Sequence, residues 1–101
     1  MTVIVAGSVW VEPATRDQYV DAHQVIVRAA RVHPGCLDLA ISPDPIDPGR
    51  VNIYEYWDSQ QTLDTWRTIC PRPNPTTASI ISQNVQLHEI SSSGPPFRAK
   101  S

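Results

Sequence analysis

Two segments of this chain carry large apolar side chains on both faces of an extended backbone. Val3 to Val11 is β-branched and aromatic, and Arg50 to Trp57 has valine, isoleucine and tryptophan on one face and two tyrosines on the other. Neither shows a helical repeat, so both are predicted to be strands of a sheet that is covered on both sides. A chain of 101 residues has room for one domain. One of the two covers is therefore expected to be a second copy of the chain.

Helices and strands alternate along the rest of the chain. Before Pro34-Gly35, an apolar stripe predicts a helix, and turn-forming residues at Ser42 to Gly49 separate two strands. The predicted elements are strands at Val3 to Val11, Cys36 to Ile41, Arg50 to Trp57 and Asn84 to Ile90, helices at Arg16 to Val32 and from an N-cap at Asp58 to Pro71, and a weak helical turn at Thr76 to Ser82.

The resulting order, βαββαβ, is that of an α+β, ferredoxin-like fold. It predicts a four-stranded antiparallel sheet with both helices on one face, and a homodimer packed sheet on sheet. Residues 1–91 are expected to form the single domain, and residues 92–101 a disordered tail.

Charge and motifs exclude several classes of function. The net charge is -2 and the eight Lys and Arg are scattered, so nucleic acid is not an expected partner. No apolar run is long enough to span a bilayer and no signal peptide is recognisable, which favours a cytoplasmic protein without a membrane partner. The two cysteines lack CxxC spacing, and no metal, phosphate-loop or dinucleotide motif is present.

Three motifs resemble the antibiotic biosynthesis monooxygenase family of dimeric α+β barrel proteins over roughly Val3 to Ile90. They are Arg31-Val-His-Pro-Gly-Cys36, Asp47-Pro-Gly-Arg50, and Tyr54-Glu-Tyr-Trp-Asp-Ser59 leading into Leu63. The resemblance implies the same fold. It constrains activity less, because the family includes quinol and anthrone oxidisers, haem degraders and members with no assigned reaction.

The chain departs from the family pattern at several positions. Thr65-Trp66 and Pro71-Arg72 stand where many members have Ala-His and Pro-His. The haem-degrading branch has an Asn where this chain has Gly7 and an axial His after the second helix, whereas residues 71–82 contain no His. Haem is therefore disfavoured. The Trp that ends the third strand in anthrone oxidisers is matched by Trp57, but their Asn four residues earlier is Ile53 here.

The family's cavity lies between the helices and the sheet, and odd-numbered strand positions are predicted to face it. Gly7 would leave a gap there for a flat ring. Trp57 and Trp66 are predicted to stack on that ring, the alternative being that both are core residues. Further candidates for contact with the substrate are Ile53 and Leu63, and Arg67 would either hold a phenolate or be a solvated surface charge.

His23 and Glu55 are the candidate bases. His23 lies on the apolar stripe of the first helix, where a neutral imidazole can accept a proton near pH 7, although a lone His there is often a packed core residue. Glu55 is a carboxylate on an otherwise apolar face, and would be either a base or a structural partner of backbone or Arg.

Together with these candidate residues, the family resemblance implies a cofactor-independent monooxygenase that oxidises a quinol, anthrone or polyketide-like aromatic with molecular oxygen. Two alternatives remain open: a haem-binding or haem-degrading protein, and a non-catalytic dimer that binds a small molecule. No metal site is expected.

Overall fold

A computed structural model describes residues 1–97, which form one antiparallel sheet with helices on one face. The strands are β1 (Val3–Trp10), β2 (Cys36–Pro43), β3 (Arg50–Trp57) and β4 (Ser82–Glu89), in the order β2-β3-β1-β4. The helices are α1 (Arg16–Ala22), α2 (Gln24–Arg31) and α3 (Gln60–Ile69), with a short 3-10 turn at Pro13–Thr15. The predicted ferredoxin-like fold is confirmed, with its first helix in two pieces.

Strand alternation places the odd-numbered side chains against the helices, as predicted. On β1, Val5 pairs with Glu55 of β3 and Leu87 of β4, and Val9 pairs with Val51 of β3. Val5, Val9 and Val51 are all buried. Since the period of a strand is two residues, His88 of β4 and the tyrosines of β3 lie on the opposite face, which no helix covers.

The helix side of the sheet is packed in two clusters. One joins Trp57 of β3 and Leu39 of β2 to Ala30 of α2 and Leu63 and Trp66 of α3. The other joins Tyr19 of α1 to the far end of the sheet, at Val9, Val11 and Val51. Ile41 and Val85 contact both clusters. The helix side of the sheet is therefore well packed at its two ends, and only a few side chains connect the two clusters.

The first helix is interrupted at His23, where a single helix from Arg16 to Val32 was predicted. The His23 N–H donates to both Tyr19 O and Val20 O, and Ile26 N–H donates to His23 O rather than to Ala22 O. The chain thus makes one tight turn between α1 and α2. The carbonyl of Ala22, released from the helix, accepts instead from the N–H of Asn74, 2.9 Å away. No glycine or proline marks this break in the sequence, which is why periodicity missed it.

The N-cap of α3 is Ser59 and not the predicted Asp58. The Ser59 hydroxyl accepts from the Thr62 N–H at 3.1 Å, the ordinary N-cap bond. The Asp58 N–H is already bonded to the carbonyl of Gly35. Gly35 has φ 88°, and a Cβ there would collide with the Thr62 side chain, so this junction between α2 and β2 requires glycine.

Residues 76–81 are irregular and do not form the predicted helical turn, and β4 begins at Ser82. β2 extends to Pro43, two residues beyond the prediction, and contains an irregularity between Cys36 and Asp38. Of the predicted tail, residues 92–97 have no regular structure and residues 98–101 lie outside the described part of the chain.

A network of hydrogen bonds fixes the turn-rich loop between β2 and β3, residues 44–49. Asp44 accepts from the N–H groups of Ile46 and Asp47 and from the Asn52 side chain. Asp47 accepts from the Trp10 indole at 3.1 Å, and Arg16 donates to the carbonyls of both aspartates. The loop is thereby bonded to β1, β3 and α1.

Candidate functional site

A cleft of about 330 Å³ opens between the helices and the sheet. Its floor comes from the sheet, its walls come from α1, α2 and α3, and its mouth is formed by exposed residues that include Cys70 and Ile80. Residues of both core clusters line the cleft, so it lies between the clusters, where few side chains connect them. The lining residues are Val9, Tyr19, His23, Ile26, Ile41, Ile53, Glu55, Trp66, Arg67, Cys70, Ile80, Gln83 and Val85.

Apolar walls with aromatic rings and a few titratable groups distinguish this cleft from a larger depression on the surface. A larger depression of about 620 Å³ runs along α1 and α2, but its lining contains Asp21, Gln24, Arg28 and Asn74 and no aromatic ring. Small-molecule sites are typically apolar concavities in which a few polar groups converge. We therefore place the candidate site in the smaller cleft.

His23 lies on the cleft wall because the break between α1 and α2 holds it there. Its ring stacks on that of Tyr19, with centroids 4.0 Å apart. Its Nδ1 is 2.7 Å from the carbonyl oxygen of Tyr19. A carbonyl oxygen can only accept, so Nδ1 carries the hydrogen, and the neutral ring has its lone pair at Nε2. The helix turn thus fixes the tautomer of a base, and burial raises the pKa of the Tyr19 phenol, which stays protonated.

Glu55 lies on the floor of the cleft. Its sheet neighbours are apolar: Val5 on β1 and Leu39 on β2. The Glu55 Oε1 accepts a hydrogen bond from the indole Nε1 of Trp57, 3.0 Å away. The sequence suggested backbone or arginine as a structural partner for this carboxylate. The partner is instead the tryptophan two residues along the same strand.

Trp57 is fully buried and is absent from the lining of the cleft. It packs against Trp66, with ring centroids 5.8 Å apart, and the edge of His33 meets both indoles. This group of three rings fills the space behind the cleft. Trp66 alone among them lines the cleft, so it is the one that can contact a ligand there.

The remaining predicted residues are divided between cleft and core. Ile53 lies on the floor and Arg67 at the exposed rim, whereas Leu63 is fully buried behind Trp66. Gly7 lies in register between Ile53 and Val85 but is not a lining residue. Its φ is 151° and a Cβ there would collide with the backbone of Asn84, so the missing side chain lets β4 approach β1 rather than opening a gap for a ring.

Sequence reasoning missed several lining residues. Tyr19 was not among the predicted site residues, and its one-turn spacing from His23 was the signal that both share a wall. Cys70 and Ile80 reach the mouth from the irregular segment after α3, whose path no periodicity determines.

Both cysteines are free, and burial is the main factor that raises the pKa of the Cys36 thiol.

The residues around the cleft include few groups that bind a metal or haem. Within residues 1–97, no group of three or more His, Cys, Asp and Glu side chains is arranged to hold a metal ion. For haem, the cleft offers one imidazole, His23 with its unbonded Nε2, and one indole, that of Trp66, which is only 6% exposed. No helix in the described residues is long and apolar enough to cross a membrane.

Residues 2–68 match the model of the antibiotic biosynthesis monooxygenase family, about two thirds of the chain. This chain belongs to that family. A curated relative, an uncharacterized protein of Synechocystis, is 24% identical over 62 residues. The chain covers only 42% of that relative's length, and the match covers 61% of the chain.

Solved structures share the fold of this family member. A candidate antibiotic biosynthesis monooxygenase of Deinococcus radiodurans has a TM-score of 0.67 at 18% identity, covering 95% of this chain and 99% of that one. The haem degrader MhuD of Mycobacterium tuberculosis, with two haems in its active site, has a TM-score of 0.65 at 14% identity, covering 92% and 99%. At such identities the likeness establishes the fold and leaves the reaction open.

Proposed function

We propose that this chain is a cofactor-independent monooxygenase that oxidises a quinol-type or anthrone-type aromatic with molecular oxygen. The observation that carries the proposal is the base at His23. The Tyr19 carbonyl fixes the hydrogen on Nδ1, which leaves Nε2 as a proton acceptor on the wall of an apolar cleft. The family to which the chain belongs supports the reaction class.

The reaction needs little from the protein. Removal of a proton from an anthrone gives an electron-rich anion that passes an electron to O₂, and recombination followed by loss of water gives the quinone. Anthrone and O₂ give anthraquinone and water, so no external reductant is required. His23 would take the proton, Trp66 would stack on the ring, and Arg67 would pair with the developing oxyanion at the rim. The apolar floor would exclude water.

Oxygen uptake tests this proposal. Purified protein with chelator is supplied with 1,8-dihydroxyanthrone, and uptake is compared with quinone formed and with a protein-free control. We expect equimolar uptake and product, and a fall of about 100-fold in rate for His23→Ala. Asp21→Ala is the control, because Asp21 is exposed on α1 and does not line the cleft. Equal rates for His23→Ala and the wild type would overturn the assignment of the base.

Haem binding is the second candidate function, and the free Nε2 of His23 beside Trp66 favours it. The bound iron porphyrin would supply oxygen activation, and His23 would hold it. Hemin titration is expected to shift the Soret band in the wild type and not in His23→Ala. A wild-type spectrum equal to that of free hemin would dismiss this candidate. Ligand binding without oxygen uptake or haem binding would leave a non-catalytic binding protein.

We also propose that a second copy of the chain covers the helix-free face of the sheet. Ile4, Ala6, Tyr54 and Tyr56 lie there side by side and are only partly buried. Burial raises the pKa of the Tyr54 phenol. Light scattering is expected to give the mass of a dimer for the wild type and that of a monomer for Tyr54→Glu. Asp64→Lys, at an exposed position of α3, is the control. A monomeric wild type would overturn the proposal.

A further inference from the structure

We infer that Trp57 is a positioning residue that acts through Glu55 and does not touch the substrate. The inference rests on the proposed function for its kinetic consequence only. The sequence made Trp57 a candidate for stacking on a substrate ring, with a core position as the alternative; its side chain has no exposed surface and it does not line the cleft. Its one polar atom points to the carboxylate that does line the cleft.

Burial makes this hydrogen bond obligatory. An indole N–H can only donate, and leaving a buried donor without an acceptor is costly, so Trp57 needs the Glu55 oxygen. For Glu55, which is only partly buried, the indole is the hydrogen-bond partner within the sheet, because Val5 and Leu39 beside it offer no polar side chain. The bond engages Oε1 at 3.0 Å and leaves Oε2 as the oxygen that a ligand in the cleft can meet.

The indole is itself held by the rings behind it. Trp66 packs against it on one side and the edge of His33 approaches on another, with centroids 5.8 Å and 6.2 Å from that of Trp57. Close packing restricts the rotation of an aromatic ring, because its neighbours occupy the space into which it would turn. The carboxylate is therefore aimed by a rigid group, which is the arrangement that precise proton transfer or orientation of a hydroxyl requires.

A spectroscopic experiment tests the bond without any substrate. The indole ¹H–¹⁵N resonances of the three tryptophans are assigned with single Trp→Phe variants and followed from pH 3 to pH 8. We expect the Trp57 resonance to move as Glu55 ionises and to lose that acid transition in Glu55→Gln, whose amide oxygen still accepts the bond. Other titrating groups near the pair are His23 and Cys70 on the cleft, Cys36 beside Glu55 and His33 beside Trp57, and Arg67 adds a fixed charge.

A kinetic cycle tests the consequence with 1,8-dihydroxyanthrone. We expect Trp57→Phe to lower kcat about tenfold and to change KM less than twofold, since the lost bond is to a charged group. In the Glu55→Gln background the same change is expected to have less than a threefold effect. Equal effects in both backgrounds, or a Trp57 resonance with the same acid transition in Glu55→Gln, would overturn the inference.

The spectroscopic and the kinetic experiment together distinguish failure of this inference from failure of the proposed function. Absence of turnover in the wild type would overturn the monooxygenase proposal while the spectroscopic arm still decides whether Trp57 holds Glu55. Should Trp57→Phe fail to fold, Glu55→Gln keeps the test decisive, because it changes one polar group and leaves the aromatic packing intact.

Discussion

Two proline-rich connections of this chain behave in opposite ways. The 44–49 loop follows Pro43 and contains two further prolines, and the 70–81 segment contains three. In the first, the side chains of Asp44, Asp47 and Arg16 tie the loop to three elements. In the second, Cys70 bonds to the last turn of α3, and the other bonds to the rest of the molecule are few: Asn74 to Ala22, Thr77 to Gln18, and Ile81 to Trp10.

The difference follows from side-chain chemistry rather than from proline content. Carboxylates accept several hydrogen bonds each, and Asp44 accepts three here. The 70–81 segment has no acidic residue, and its one charged side chain, Arg72, is exposed. The loop is thus a fixed corner of the sheet, whereas the segment that reaches the cleft mouth is held by isolated bonds and can adjust to a ligand.

The largest expected effect on this comparison comes from Asp47→Ala. The change removes the acceptors of the Trp10 indole and of the Gly49 N–H, and leaves a half-buried donor without a partner. We expect a loss of about 2 kcal/mol in the free energy of unfolding, measured by urea denaturation. Asp21→Ala, on the exposed side of α1, is the control and is expected to change it by less than about 0.5 kcal/mol. Similar values for the two variants would contradict the view that the loop is fixed by its carboxylates.

The second-largest effect is expected from acid, which should weaken the hydrogen bonds of the 44–49 loop. The backbone N–H of Asp47, the Asn52 side chain and the N–H of Ile46 lower the pKa of Asp44 from 3.8 to about 2. A carboxyl group whose pKa is lower in the folded than in the unfolded protein stabilises the fold at any pH above its unfolded pKa. This contribution is lost as the pH falls through the folded pKa. We therefore expect the stability that Asp44 supplies to be complete above about pH 4 and to decline toward pH 2. The urea midpoint of Asp44→Asn should show a shallower decline across that window than the wild type, and parallel curves would refute the assignment.

Hydrogen exchange compares the two connections directly in the unaltered protein. The Asp47 amide is bonded to the Asp44 carboxylate within a network, whereas the Asn74 amide relies on one contact with Ala22 O. We expect the Asn74 amide to exchange about tenfold faster, relative to its intrinsic rate, because local opening there breaks fewer bonds. Equal protection would mean that the 70–81 segment is as rigid as the loop.

The smallest effect is expected for Thr77→Val. Its hydroxyl donates to the Gln18 side chain on the surface at 3.1 Å, where water can replace the bond. The free energy of unfolding should fall by less than about 0.5 kcal/mol, while protease nicking of the 70–81 segment should become faster. Thr68→Val, whose hydroxyl bonds only within α3, is the matched control. Unchanged cleavage in Thr77→Val would show that this contact does not anchor the segment.

The sequence predicted those parts of the molecule that depend on a local period. Alternation assigned Val5, Val51 and Trp57 to the helix side, and the turn residues placed the loop before β3. It also brought His23 and Glu55 into consideration, and both line the cleft. The break at His23 was missed because it depends on the peptide of Asn74, which lies far away in sequence and takes the Ala22 carbonyl.

The sequence also could not predict in which direction a side chain points once its face of the sheet is known. Glu55 and Trp57 share one face of β3, yet one lines the cleft and the other lies behind it. What separates them is the packing of His33 and Trp66 around the indole, two contacts that no spacing along the strand encodes. Gly7 shows the same limit, because its role depends on how closely β4 approaches.

The central position of β1 also has a consequence for the order of assembly. The first strand to be synthesised is flanked by β3 and β4, and β4 is the last. The contacts that complete the sheet therefore join residues near opposite ends of the domain, which slows folding by raising the contact order. Until β4 arrives, an apolar, β-branched strand presents an open edge on which another nascent chain can pair. Pairing between nascent chains at this open edge is thus a hazard that this topology creates.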